Sequence, residues 1–211
     1  MINIEAKTAG EAWVKYLATT LKNGVELPDD KEQILESEPI FISIESIEVN
    51  DPILKKYADP KIIEQYTFKM FSQDIIEELS STYGHRLFNY DGVNQVQWAI
   101  DRLKNKWWTK SASIGLLKPN EDMPRIPCLI SVMPVIRNDK VILNAVFRSQ
   151  NVFNSYGNFC GLHEVHKLIA EGVGCELGAL RIVAWSPHIY KSNIKKAEEI
   201  VRINISENYE L

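Results

Sequence analysis

The sequence is short of several things, and each shortage narrows what the chain can be. Its three cysteines, Cys128, Cys160 and Cys175, are an odd number without C-x-x-C spacing, which argues against a disulfide framework and a zinc site. No metal is expected, and a reducing, cytoplasmic setting is. Neither sign of charge is in large excess: 24 basic against 28 acidic side chains leave a formal charge of −4. That balance offers no general attraction to a nucleic-acid polymer or an anionic membrane, so a phosphate must be held by a local basic cluster. No apolar run approaches the roughly 18 to 20 residues of a membrane span, and the stretch from Met1 to Lys7 lacks the pattern of a leader. Neither insertion nor secretion is expected. Glycines and prolines are few, at 10 and 9, and no repeat, low-complexity tract or linker interrupts the 211 residues. One domain over 1–211, large enough for a sizeable core, is the expectation.

Periodicity supplies the elements. Thr8 and Glu11 have capping-box spacing, and Trp13, Tyr16, Leu17 and Leu21 then recur on one helical face until Gly24. Ile40 to Ile44 is β-branched and aromatic and predicts a strand, preceded by a polar loop from Pro28 to Lys31. Helices are predicted after Asp59-Pro60, with Ile62, Ile63, Tyr66 and Met70 inward, and around Val93, Val96, Ile100 and Leu103. Another begins near Asn158 and buries Leu162, Val165, Leu168 and Ile169 until Gly172; a strand follows from Leu180 to Trp185, and the tail after Lys191 predicts a short helix and a strand.

Two apolar runs, Leu129 to Ile136 and Val141 to Phe147, flank Arg137-Asn138-Asp139-Lys140, a hairpin signal. With a two-residue turn at Asn138-Asp139, strict register sets Cys128 opposite Ser149 and one residue from Arg148. Strict alternation would then send Cys128 and Arg148 to opposite faces, so a bulge is expected if both serve one site. Taken singly, Cys128 reads as a small buried hydrophobe, Arg148-Ser149 as a surface pair, and His188 with Tyr190 as hydrogen-bonded side chains at a sheet edge. A cation beside a cysteine favours the thiolate, which is the reactive form.

Together these residues say more. Pro127-Cys128, Arg148-Ser149, Asn158 opening a helix, and His188-Ile189-Tyr190 match in order and spacing the signature of another group of proteins. So do Tyr83-Gly84-His85-Arg86-Leu87 and Asn94-Gln95 upstream. The pattern resembles the thymidylate synthases and related pyrimidine nucleotide hydroxymethylases, most of all their compact archaeal-type branch, over about residues 80 to 190. The resemblance implies an α+β fold: a mixed, largely antiparallel sheet with helices on one face, the other face a homodimer interface. It implies Cys128 as the thiolate that adds to pyrimidine C6 of a dUMP-type nucleotide, Arg148 and Ser149 as phosphate ligands, and Asn158 as the reader of the uracil O4 and N3-H edge. His188 and Tyr190 correspond to ligands of the sugar 3′-hydroxyl, Lys31 to an N-terminal phosphate-loop arginine, and Lys110 to the partner subunit's phosphate arginines. The cofactor expected is a reduced pterin co-substrate, 5,10-methylene-tetrahydrofolate or methylene-tetrahydromethanopterin.

The chain departs from the pattern in places. Asn151 stands where the family has a pterin-binding aspartate, and Leu129 replaces the histidine that commonly follows the cysteine. For the general base the expectation is Glu64, with Glu45 and Glu48 behind it. The function expected is methyl transfer giving dTMP; dUMP or dCMP hydroxymethylation and noncatalytic nucleotide binding are the alternatives.

Overall fold

The computed structural model describes residues 1–48, 50–74, 83–122 and 126–205. The first helix forms as its sequence requires: α1 (Ala9–Asn23) is capped by Thr8, whose side chain accepts from Glu11 N–H, while Glu11 reaches back to Lys7 N–H at 2.8 Å. It packs on β1 (Ile2–Ala6) and β4 (Ile40–Ile44), and β2 (Val25–Leu27) and β3 (Ile34–Glu36) lie between. Then come α2 (Pro52–Tyr57), α3 (Pro60–Phe71), α4 (Tyr83–Phe88), α5 (Gln95–Asn105), β5 (Ile114–Gly115) and α6 (Pro119–Asp122). The remainder is β6 (Leu129–Arg137), β7 (Lys140–Phe147), β8 (Gln150–Asn151), α7 (Ser155–Val173), β9 (Glu176–Ala184), β10 (Pro187–Tyr190) and α8 (Ile194–Asn204).

The fold is α+β. Its main sheet runs β1-β4-β9-β7-β6-β5, with β1/β4 and β7/β9 parallel and the other neighbours antiparallel. Register makes one face apolar: Ile4, Ile42, Ile182, Ala145, Val132 and Ile114 form a row across all six strands, and every member is buried. Helices α1, α7 and α5 pack against this sheet. The adjacent row on the other face, Phe41, Val183, Val146 and Ser131, is only half-buried. A second sheet, β2-β3-β10-β8, was not foreseen, because its strands are three or four residues long at most and too short for an alternation to register.

Several expectations are corrected in detail. Helix α7 begins at Ser155, a turn before Asn158, and ends at Gly174, whose φ of 76° is the left-handed conformation that glycine adopts without a Cβ penalty. Leu168 is 38% exposed and Val93, ahead of α5, 52% exposed, so neither belongs to the core. Within α3 only Met70 is fully buried. After Lys191 the described chain forms helix α8 and no strand. No helix among the described residues is long and apolar enough to cross a membrane.

One buried ion pair ties α4 to α6. Arg86 on α4 donates from Nη2 to Asp122 Oδ1 at 2.6 Å and from Nη1 to Asp122 Oδ2 at 2.9 Å, and Nη1 also meets the Leu116 carbonyl at 2.5 Å. Burial by itself would raise the Asp122 carboxyl pKa, but hydrogen bonds from Arg86 and the Lys118 N–H outweigh it and hold it below the usual value. A carboxyl lowered in this way stabilises the fold above its unfolded pKa of about 3.9 and loses that contribution as pH falls through the folded value. Removing one partner leaves a buried charge uncompensated. We therefore expect Asp122→Ala to cost about 3–5 kcal/mol in urea unfolding at pH 7, and the paired change Arg86→Met with Asp122→Leu to recover much of the loss.

Candidate active site

The hairpin builds the centre of the site. Asn138 and Asp139 have φ of 51° and 58°, as a type I′ turn requires, and the register is regular from there to Ser131. It then shifts between Ser131 and Leu129, a bulge at Ile130 that pairs Leu129 with Phe147. Beyond it Arg148 N–H donates to the Cys128 carbonyl at 2.9 Å, so Cys128 faces Arg148 rather than Ser149. The extra residue removes the conflict of faces that strict alternation imposed.

Arg148 is held by main-chain carbonyls. Its Nε donates to Pro127 O at 3.1 Å and its Nη2 to Ile126 O at 2.7 Å, while Nη2 lies 3.9 Å from Cys128 Sγ. No hydrogen bond engages Nη1 among the described residues. The small second sheet brings up the other end: β8 runs parallel to β10, pairing Asn151 with His188, and Ser149 Oγ comes within 3.5 Å of His188 Nδ1. His188 Nδ1 also lies 3.2 Å from the Ser186 carbonyl, which accepts only, so the ring proton belongs on Nδ1 and Nε2 is left as an acceptor. Burial lowers the His188 pKa, which favours this neutral imidazole. Tyr190 meets the His188 ring edge-on at 5.3 Å, and Lys31 Nζ stands 5.8 Å from the centre of the Tyr190 ring.

These side chains share a cavity of about 610 Å³, bordered by Cys128, Arg148, Ser149, Asn151, Asn158, His188, Tyr190 and Lys31. Asn158, on the first turn and a half of α7, is 5% exposed, and its Oδ1 has no hydrogen-bond partner among the described residues. A buried, unsatisfied acceptor at a cavity wall is a group waiting for a donor. Asn151 is different: its Oδ1 already accepts from Phe153 N–H at 3.1 Å, which occupies one of that oxygen's two lone pairs. α1 holds this wall from behind, with Tyr16 Oη donating to Gln150 Oε1 and Trp13 Nε1 to the Val152 carbonyl.

A family model for thymidylate synthase matches residues 35–210. The chain belongs to the thymidylate synthase family. Its relatives include proteins from Methanococcoides burtonii and Methanosarcina mazei, each 29% identical over 204 residues and covering 94% of both chains. Another, from Methanothermobacter thermautotrophicus, is 27% identical over 219 residues, covering 95% of this chain and 98% of its own. All three carry the name "Putative thymidylate synthase". Members of the family are transferases that use a methylene-folate-type co-substrate.

Two sequence expectations fall outside the cavity. Glu64 is exposed on α3, on the side turned away from it, and Glu45 and Glu48 are exposed beyond β4. Periodicity explains Glu64: Tyr66, two residues on, takes the inward position. Lys110 is exposed after α5 and borders no part of this chain's cavity. Conversely, Asp29, Asp30, Tyr66, Tyr83 and Gln150 border it without having been given roles. Tyr66 had been counted as core, since an apolar-face pattern cannot tell a core-facing phenol from a cavity-facing one.

The cysteines should differ in reactivity. Burial, with Asp51 and Glu164 adding, pushes the Cys160 thiol to about 11, whereas Cys128 opens on the cavity beside a guanidinium. At pH 8, iodoacetamide should therefore label Cys128 well before Cys160, as read by peptide mass spectrometry; equal labelling would contradict these environments.

Proposed function

We propose that this protein transfers a one-carbon unit to C5 of deoxyuridylate through a covalent bond between Cys128 and pyrimidine C6, giving dTMP. The observation that carries this reading is the unpartnered, buried Asn158 Oδ1 in the same cavity as Cys128. Uracil offers an N3–H donor for that oxygen and an O4 acceptor for the amide's N–H. The Arg148 Nη1 and the Ser149 hydroxyl suit phosphate oxygens, with Lys31 as a third contact. His188 Nε2, an acceptor, suits the donor of a sugar 3′-hydroxyl. A reduced pterin, methylene-tetrahydrofolate or methylene-tetrahydromethanopterin, would supply the carbon. Asn151 would donate to it through Nδ2 and could accept from one of its N–H groups at Oδ1, but not from two. Adding the thiolate to C6 turns C5 into an enolate-like nucleophile, which the intact ring is not.

The half-buried outer row of the main sheet, with Trp185 53% exposed near it, is the surface we assign to a homodimer, and Lys110 would then face the partner's phosphate site. Product analysis after incubation with deoxyuridylate and each one-carbon donor tests the reaction. We expect Cys128→Ala to abolish tritium release from C5-labelled deoxyuridylate while retaining nucleotide binding; near-normal release would end the covalent reading.

Base choice provides an independent check on Asn158. Cytosine reverses the pattern, with an acceptor at N3 and a donor amino group, so deoxyuridylate should bind more tightly than deoxycytidylate by about 1–3 kcal/mol. Asn158→Asp should narrow or invert this preference, because a carboxylate accepts from the cytosine amino group and repels O4. Calorimetric titration of both nucleotides into both proteins measures the ratio; an unchanged ratio would detach Asn158 from base recognition.

A further inference from the structure

Two phenols border the cavity and have no part in the chemistry described so far. Tyr83 is half-buried and lies near Leu129, the neighbour of Cys128. The Tyr66 hydroxyl has no hydrogen-bond partner among the described residues, and the half-buried side chain lines the cavity. Its ring is nonetheless fixed. A Cβ on Gly157 would lie 2.9 Å from Tyr66 Cγ and 3.1 Å from Cδ2, so the ring rests directly on the glycine that precedes Asn158. Lys69 Nζ stands 4.9 Å from the ring centre. The phenol is therefore held against the one turn of α7 that supplies the base-reading amide, and it shares the cavity with Cys128.

Among the described residues no carboxylate borders the cavity from that side. The acids on its wall, Asp29 and Asp30, belong to the loop before β3 that also places Lys31 by Tyr190. Glu64 is exposed. We propose that Tyr66 is a hydrogen-bond donor to uracil O4, a catalytic residue that stabilises the oxyanion formed when Cys128 adds to C6. The inference rests on the covalent reading above.

The electron count is simple. As the S–C6 bond forms, the C5=C6 π pair moves to C5–C4 and the C4=O pair moves onto O4. The Tyr66 O–H meets that charge, in the manner of an oxyanion-hole donor. Burial, reinforced by Cys128 and neighbouring phenols, pushes the Tyr66 pKa to about 12, so the phenol keeps its proton throughout the neutral range. From the enolate, C5 can take a deuteron from D₂O; loss of the original C5 proton and expulsion of the thiolate then restore the ring. Exchange at C5 therefore needs no reactant beyond nucleotide and water.

The test is C5–H exchange of deuteriated-solvent deoxyuridylate followed by NMR on the full chain, with no pterin present. Tyr66→Phe should lower the exchange rate by about 100- to 1,000-fold, the usual effect of deleting one such donor, with deoxyuridylate affinity nearly unchanged. Replacing Tyr66 by 3,5-difluorotyrosine, a more acidic phenol of almost the same shape, should keep exchange at neutral pH and move the alkaline fall in rate to lower pH. A purely structural ring would leave the pH profile in place. Normal exchange in Tyr66→Phe, or an unmoved alkaline limb in the fluorinated protein, overturns the proposal while leaving Cys128 untouched. Exchange that survives in Cys128→Ala, or is absent from the unaltered protein, overturns the covalent reading and this inference with it.

Discussion

Everything in the site depends on one extra residue in one strand. The bulge at Ile130 breaks the pairing that runs undisturbed from the Asn138-Asp139 turn, and it does so just before the hairpin reaches the cavity. Side chains on a strand alternate, so a shift of one position exchanges the two faces. The shift turns Cys128 toward the guanidinium of Arg148, and the same β7 strand passes directly into Ser149 and β8. The main sheet itself is indifferent to the bulge, because the buried row from Ile4 to Ile114 crosses the hairpin at Val132 and Ala145, on the regular side.

Helix α7 is the second support. Its first turns carry Asn158 into a buried position, and its glycines at 157 and 161 let α3 approach closely enough for Tyr66 and Met70 to rest on the helix backbone. Packing and chemistry therefore share the same contacts: the pair α3 and α7 both closes the core and aligns an amide with a phenol at the cavity wall.

Much of this was legible beforehand. The turn residues, the apolar runs on either side and the need for a bulge were all readable around Asn138, because φ > 0 chemistry and strand periodicity are local. So was the set from Cys128 to Tyr190, whose order and spacing are sequence properties. What could not be read was long-range. The β2-β3-β10-β8 sheet joins segments some 150 residues apart through strands too short to signal. The placement of Glu64 off the cavity wall was hidden for a related reason: a carboxylate at the start of a helix has no local mark that distinguishes facing a cavity from facing solvent, and Tyr66 looked like any apolar-face residue. Leu168 shows the limit from the other side, an apolar residue at helical spacing that the packing leaves outside.

The way Arg148 is held has a further consequence, in the language of ionic strength. Its closest partners are neutral carbonyls, with Cys128 Sγ farther off at 3.9 Å, and among the described residues no carboxylate pairs with it, so hydrogen bonds orient it without a carboxylate cancelling its charge. A full charge at the edge of a cavity attracts anions over a range set by the surrounding ions, about 8 Å under physiological salt and about 30 Å in dilute buffer. Capture of an anionic ligand should accordingly be fast in dilute solution and slow as salt is added, whereas the carbonyl contacts that orient the guanidinium, being short and internal, are insensitive to it.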